Sequence, residues 1–323
     1  MKKIIFSIIL PFIFVLAFLS CNIGNPSQPN LNETSDGSEW ICATSNADFS
    51  TREHFYCVSF NNKIWVIGGV SNTGSGDENK NDVWCSSNGI DWSHVSTIQD
   101  LGATNRGGAV VYDNKIWVLS GNGMWLSENG IDWSVVTKAC IACPQTLSKV
   151  IDSFNKYSDK FWSIGGYNGI TLNDVWSSVN GVDWELTTGN ADFDARFGHA
   201  SVEFNGKLYV IAGENSPGNT LSDVWNTTSG VDWLVLTINA SFGSRKGHEG
   251  IVYDNKIWVI GGEVLVGNDV WFSEDGVDWI CATGNAEFGG RSYFASVIHR
   301  SKMWVIGGRL HGGGRSNDVW HSK

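Results

Sequence analysis

Short apolar runs closed by small residues recur along the chain, with polar turns between them. KIWVIGG begins at Lys63, KIWVLSG at Lys115, KFWSIGG at Lys160, KLYVIAG at Lys207, KIWVIGG at Lys256 and KMWVIGG at Lys302. An apolar run of this length bounded by turn residues predicts a buried strand, and its glycines allow backbone conformations that other residues resist. Ahead of these runs lie alternating segments such as HASVEF (199–204), which ends at Asn205-Gly206, a hairpin signal. Downstream comes NDVW at Asn81, Asn173, Asn268 and Asn317, with SDVW at Ser222. A turn and a last element follow: NGIDW at Asn88 and Asn129, NGVDW at Asn180, SGVDW at Ser229 and DGVDW at Asp275. Asn-Gly and Asp-Gly favour tight turns, so the NDVW and DW segments are expected to pair as antiparallel strands.

The second small residues of the apolar runs, Gly69, Gly121, Gly166, Gly213, Gly262 and Gly308, stand 45 to 52 residues apart. Four strands repeated at that period predict one blade of a β-propeller per repeat. Six such strands and six third strands (Trp84, Trp125, Trp176, Trp225, Trp271, Trp320) are present, but fourth strands follow only five of them. The sixth is expected at the other end, because EWICATSNADFS (39–50) nearly repeats DWICATGNAEFG (278–289). An N-terminal strand that completes the last blade leaves no exposed ring edge. The expected fold is therefore all-β, a six-bladed propeller over residues 39–323.

The 17 tryptophans fit this frame. Five fall in the Gly-Gly strands (Trp65, Trp117, Trp162, Trp258, Trp304), where Tyr209 takes the sixth place. Six fall in third strands and six in fourth strands. None is left over as an aromatic platform for sugars or bases, so packing between blades is their expected role.

The Gly-Gly after an apolar strand, the aromatic spaced after it and the period resemble kelch repeats across the whole body, and the DVWxSxxGxDW pattern is similar to bacterial secreted kelch-like propellers. Among kelch enzymes, galactose oxidase has a copper site of tyrosines and histidines, and none of those ligands matches a position here. Sialic-acid mutarotases are six-bladed kelch proteins with a glutamate and arginines near the channel. By that resemblance, Glu214 or Glu263 with Arg196, Arg245 or Arg291 would form a general acid/base arrangement.

The N-terminus changes the picture of where the body resides. Lys2 and Lys3 precede an apolar stretch, residues 4–19, that ends at Ser20-Cys21, the layout of a secretory signal. The end, Phe18-Leu19-Ser20-Cys21, resembles a bacterial lipobox, which implies a signal peptide over 1–20 and an acylated Cys21. Residues 22–38 are polar, contain Pro26 and Pro29, and read as a flexible tether, so 21–38 forms anchor and linker. Asn22 stands where an aspartate is linked to inner-membrane retention, which favours an outer-membrane lipoprotein of the cell envelope.

Net charge is −11 at pH 7, spread over the repeats, so a phosphate backbone is repelled and nucleic acid is not an expected partner. Arg52, Arg196, Arg245 and Arg291 each stand eleven residues before the hairpin lysine, and are expected to ring the channel mouth. Arg106 is displaced in blade two, and blade three offers only Lys149 nearby. Guanidinium groups there would suit a carboxylate or phosphate; equally, such regular repetition is the mark of an architectural residue. Departures from the repeat are where function is sought. They are a long loop over residues 70–80 with Asp77 and Glu78, a Gly-rich loop with Arg309, His311 and Arg315, and Glu214 and Glu263 after their small pairs. His199 and His248 share equivalent positions without a convincing third metal ligand, so no metal and no cofactor are expected. Apart from Cys21 there are six cysteines, and Cys140-Ile-Ala-Cys143 reads as a local disulfide. The expected function is an envelope-anchored, non-catalytic module that binds a protein or carbohydrate on the loop face. The alternative is a periplasmic mutarotase or epimerase acting on an acidic sugar such as sialic acid.

Overall fold

In the computed structural model, residues 36–72, 74, 76–102, 107–138, 153–264 and 267–323 are described. The expected leader, Cys21 and most of the tether lie outside the described residues, as do Arg106, Cys140, Cys143 and Lys149. Six antiparallel sheets, each built on four strands, form the body, and no helix occurs among the described residues. Blade one consists of Tyr56–Phe60, Lys63–Asn72, Asp77–Ser86 and Ser93–Thr97. Blade five, for comparison, consists of Glu249–Tyr253, Lys256–Ile260, Val270–Ser273 and Ile280–Thr283. The first strands neighbour one another in an unbroken cycle around the axis, which closes the ring at six blades.

Closure occurs as the near-repeat of residues 39–50 predicts. Trp40–Thr44 pairs with Arg315–Ser322, with Trp40 opposite Ser322 and Cys42 opposite Trp320. The matching segment begins earlier than expected. Asp36-Gly37-Ser38-Glu39-Trp40 takes the place of the hairpin Asp275-Gly276-Val277-Asp278-Trp279 of blade five. The Asp36 carboxylate accepts the Ser38 N–H at 2.9 Å, just as Asp275 accepts that of Val277 at 2.8 Å.

That hairpin glycine explains how blades interlock. A Cβ on Gly89 would collide with the Trp304 ring, and one on Gly130, Gly230 or Gly37 would collide with Trp65, Trp162 or Trp258. Four of the five second-strand tryptophans thus lie over a hairpin glycine of the following blade, where no side chain fits, and Tyr209 does the same over Gly276. At Gly181 the Met124 sulfur fills that space and Trp117 stands beside it. The tryptophan is satisfied within its own blade: Trp65 Nε1 donates to the Phe60 carbonyl at 2.9 Å, and Trp304 Nε1 to that of His299 at 3.0 Å.

Two local expectations differ from the structure. The fourth strands start one residue after the DW pair in blades one to five, because the Asn, Ser or Asp side chain of the turn holds the intervening backbone N–H groups. Residues 70–72 and 77–80 are strand rather than loop. They prolong the second and third strands of blade one as a two-stranded extension, with Ser71 opposite Glu78 and Asn72 opposite Asp77.

Candidate functional site

The segments that enter the first strands of blades one, four and five share a face with the turns after the small pairs, as three cross-bridges show: Glu53 with Val70, Phe197 with Glu214, and Lys246 with Glu263. The four repeated arginines stand on this face but do not point out of it. Arg52, Arg196, Arg245 and Arg291 are at most 1% exposed. Each forms a bidentate pair with the third-strand aspartate of its own blade: Arg52 with Asp82, Arg196 with Asp223, Arg245 with Asp269 and Arg291 with Asp318, at 2.7 to 3.0 Å. A further N–H of each donates to the carbonyl of the first small residue: Gly68, Ala212, Gly261 or Gly307. Burial acts to raise the Asp82 and Asp318 carboxyls, but the guanidinium partners outweigh it and hold both below the usual carboxylate range. The geometry is that of a clamp tying the entry segment to the third strand.

His199 and His248 are likewise wedged. Their Cβ atoms pack where the second glycine of their own blade, Gly213 or Gly262, leaves room. Phe55 and Phe294 occupy the matching slots against Gly69 and Gly308. Burial drives the His248 pKa well below its ordinary value, so the imidazole is neutral and serves as a flat ring in an aromatic slot.

The distinctive chemistry lies in the residue next to each clamp arginine. Blades one, four, five and six place Glu53, Phe197, Lys246 and Ser292 there, while the residues after the small pairs are Val70, Glu214, Glu263 and Arg309. The charged ones among them, with Arg315 and Asp77, form an ion network across four blades. Buried Glu53 accepts from Arg309 at 2.7 Å and from Arg315 at 2.6 Å. Arg315 reaches on to Asp77 at 2.8 Å, and Arg309 to Glu263 at 3.7 Å. Lys246 bonds Glu214 and lies 3.4 Å from Glu263. Burial alone would raise the Glu53 carboxyl, yet the two arginines hold it low; Asp77 is held low mainly by Arg315. Burial would lower the Lys246 pKa, but Glu214 and Glu263 raise it.

A concave pocket of about 880 Å³ opens in this network, lined among others by Glu53, Asp77, Glu263, Arg309, His311 and Arg315. Asp77, with 62% of its side chain exposed, Arg309, with 48%, and Glu263, with 34%, are its accessible charges. The His311 imidazole lies 3.1 Å from the Gly262 carbonyl, fixing the Gly-rich loop against blade five. Of the residues picked out from sequence, the structure brings Asp77, Glu263, Arg309, His311 and Arg315 together here. Glu214 joins at the buried end of the network, 2% exposed. Glu53 and Lys246 were missed. Their signal is variability beside an invariant neighbour: the residue after the clamp arginine is Glu, Phe, Lys or Ser while the arginine does not change.

Beneath the pocket a chain of backbone hydrogen bonds runs from blade to blade. Gly247 N–H donates to Gly198 at 2.8 Å, Tyr293 to Gly247 at 2.8 Å, and His54 to Tyr293 at 3.0 Å. All four residues have positive φ, near +50 to +65°, so the turn that tucks the chain inward is the same in each blade. The His54 ring lies 4.3 Å from that of Tyr293 and is held neutral, with its pKa pushed down to about 4 chiefly by burial. Among the described residues, no group of three or more histidine, cysteine or carboxylate side chains gathers to hold a metal ion.

The family model described as the DUF6242 beta propeller domain matches residues 34–323. A search of curated proteins finds no match to the chain.

Proposed function

The chain belongs to the DUF6242 beta-propeller family, and we propose that it acts as a ligand- or protein-binding module carried on the cell envelope. One observation carries this reading: the clamps of blades one, four, five and six are uniform, whereas the charged network at the mouth is built from positions where those same blades differ. A concave, off-axis site with half-exposed Arg309 and Glu263, backed by buried partners, suits a ligand with both an acidic group and hydrogen-bonding groups. On this reading the Gly-Gly repeats are of kelch type and Cys21 is acylated, so the body is tethered to a membrane through residues 22–38. Thermal-shift measurements with uronic and sialic acids against neutral sugars test the site. A rise in melting temperature confined to acidic sugars, and lost in Arg309→Ala, supports it. No shift with any of them directs attention to a protein partner on the same face. Incorporation of labelled fatty acid into the wild type, but not into Cys21→Ser, tests the anchor.

The approach of Glu263 to Arg309 supports the second reading, a mutarotase or epimerase for an acidic sugar, because these two groups face the pocket together while Arg196, Arg245 and Arg291 are taken up by clamps. Accelerated anomer exchange that disappears in Glu263→Gln is the result expected of that activity.

A further inference from the structure

The central channel below the backbone ring contains a second cavity, of about 310 Å³, lined by first-strand or entry residues of all six blades and sharing no residue with the mouth pocket. Its one carboxylate among the described residues is Glu249. Glu249 pairs with Ile260 in register, the position held by Ala200 opposite Ile211 and by Ala295 opposite Ile306. A long acid therefore stands where its neighbours carry a methyl group, in the seam between blades five and six. The Ser296 hydroxyl donates to Glu249 Oε2 at 3.1 Å, and no ion pair reaches this carboxylate among the described residues.

The rest of the lining is neutral. Lysine and arginine are absent from the described lining residues, and its other titratable groups are His54, Tyr56, Cys57, His199, His248 and Tyr293. His54 and His248 are held uncharged by burial, and burial raises the Tyr56 phenol and the Cys57 thiol. The Tyr56 hydroxyl, in a side chain 7% exposed, has no hydrogen-bond partner among the described residues. The hydroxyls of Ser153 and Ser201 face each other across the seam of blades three and four at 2.5 Å, next to the Asn155 amide. A buried carboxyl group with no cationic neighbour among the described residues, a buried phenol hydroxyl with no partner among them and a polar wall are apt for a cationic ligand that brings its own hydrogen-bonding groups. Glu249 can supply one negative charge, which suits one positive charge, since a divalent metal ordinarily gathers several carboxylates. The volume is that of a pocket for a small organic molecule.

We propose that this chamber is a separate binding site for a small hydroxylated primary amine, whose ammonium group pairs with Glu249 and whose hydroxyls bond Tyr56, Ser201 and Ser296. Because burial pushes the Glu249 carboxyl up to about 8, it is mostly protonated at pH 7. Pairing with an ammonium ion then sends the carboxyl proton to the buffer.

The test is calorimetric titration of the full-length protein with glucosamine at pH 7, against glucose and N-acetylglucosamine, which match its ring without the charge. Ionic strength is held constant with KCl. The expected result is binding of glucosamine alone, with release of close to one proton, read from buffers of different ionisation enthalpy. Glu249→Gln, which keeps the side-chain shape, should weaken binding by at least about tenfold, the loss typical of a charged hydrogen bond. Tyr56→Phe serves as a second variant and should weaken it by a smaller factor. Equal binding of glucose and glucosamine overturns the proposal, as does unchanged affinity in Glu249→Gln, or no binding of glucosamine, ethanolamine or serinol.

Discussion

Blades four, five, six and one differ from blades two and three in how they are tied together. In the first set, a phenylalanine three residues before the clamp arginine stands edge-on to a tryptophan beside the fourth strand: Phe193 with Trp233, Phe242 with Trp279, Phe288 with Trp40 and Phe49 with Trp92. Their centroids are 4.8 to 5.0 Å apart, at 87 to 90°. The arginine lies over the same phenylalanine and pairs with the aspartate, which also accepts the third-strand indole N–H. Blade two breaks this pattern. Gly123 stands where the aspartate belongs, Leu101 fills the apolar place, and the buried Trp125 Nε1 has no partner. Blade three keeps part of it, since Asp174 still accepts from Trp176 at 2.7 Å. The charged mouth network spans the four regular blades. A rigid, repeated clamp holds the backbone, and the residue beside it is then free to vary into a site.

Removing a clamp is expected to have the largest effect. Arg245→Ala leaves Asp269 and the Gly261 carbonyl without their partner, and should cost about 3–5 kcal/mol in denaturant unfolding, as for a broken buried ion pair. A loss below about 1 kcal/mol would show that the clamp does not hold its blade together. Next in size is the blade interlock. Gly230→Ala puts a methyl group into the Trp162 ring at a residue with φ of +77°, and should cost about 2–3 kcal/mol.

The third prediction concerns the departure inside blade five. The Glu249 pKa is about 8 in the folded protein against an ordinary 4.5, so the folded state holds a proton that the unfolded chain releases. Below about pH 4.5 both states are protonated. As pH rises from there towards 8, stability falls, and Glu249→Gln should flatten that part of the melting-temperature profile. A decline of equal slope in the variant would show that another group is responsible. The smallest effect sharpens the comparison between sectors. Trp225→Phe loses a 2.7 Å bond to Asp223, whereas Trp125→Phe loses none, so the former should be the more destabilising by about 1 kcal/mol.

The blade was legible in the sequence because each of its devices is local. KIWVIGG, NDVW and NGIDW lie within one repeat, and their periods and turn residues report strands and hairpins directly. The mouth was legible in part. Arg309, His311, Glu263 and Asp77 stood out as departures from the repeat, but Glu53 and Lys246 did not, since their partners lie on other blades. The clamp arginines show the converse. Their repetition was visible, and whether they faced a ligand or an aspartate was not, because Asp82 is thirty residues from Arg52.

By itself the sequence determined the number of blades, the strand order within each and the closure by the N-terminal strand. Those follow from short-range alternation, glycine turns and repeat counting, which need no knowledge of distant neighbours. Only the tertiary structure decided which charges became clamps, which formed the mouth network, and that Glu249 stands in the channel wall without a counter-ion. Those outcomes depend on residues brought together around the ring from separate repeats, where burial and pairing, rather than residue type, set each group's charge and role.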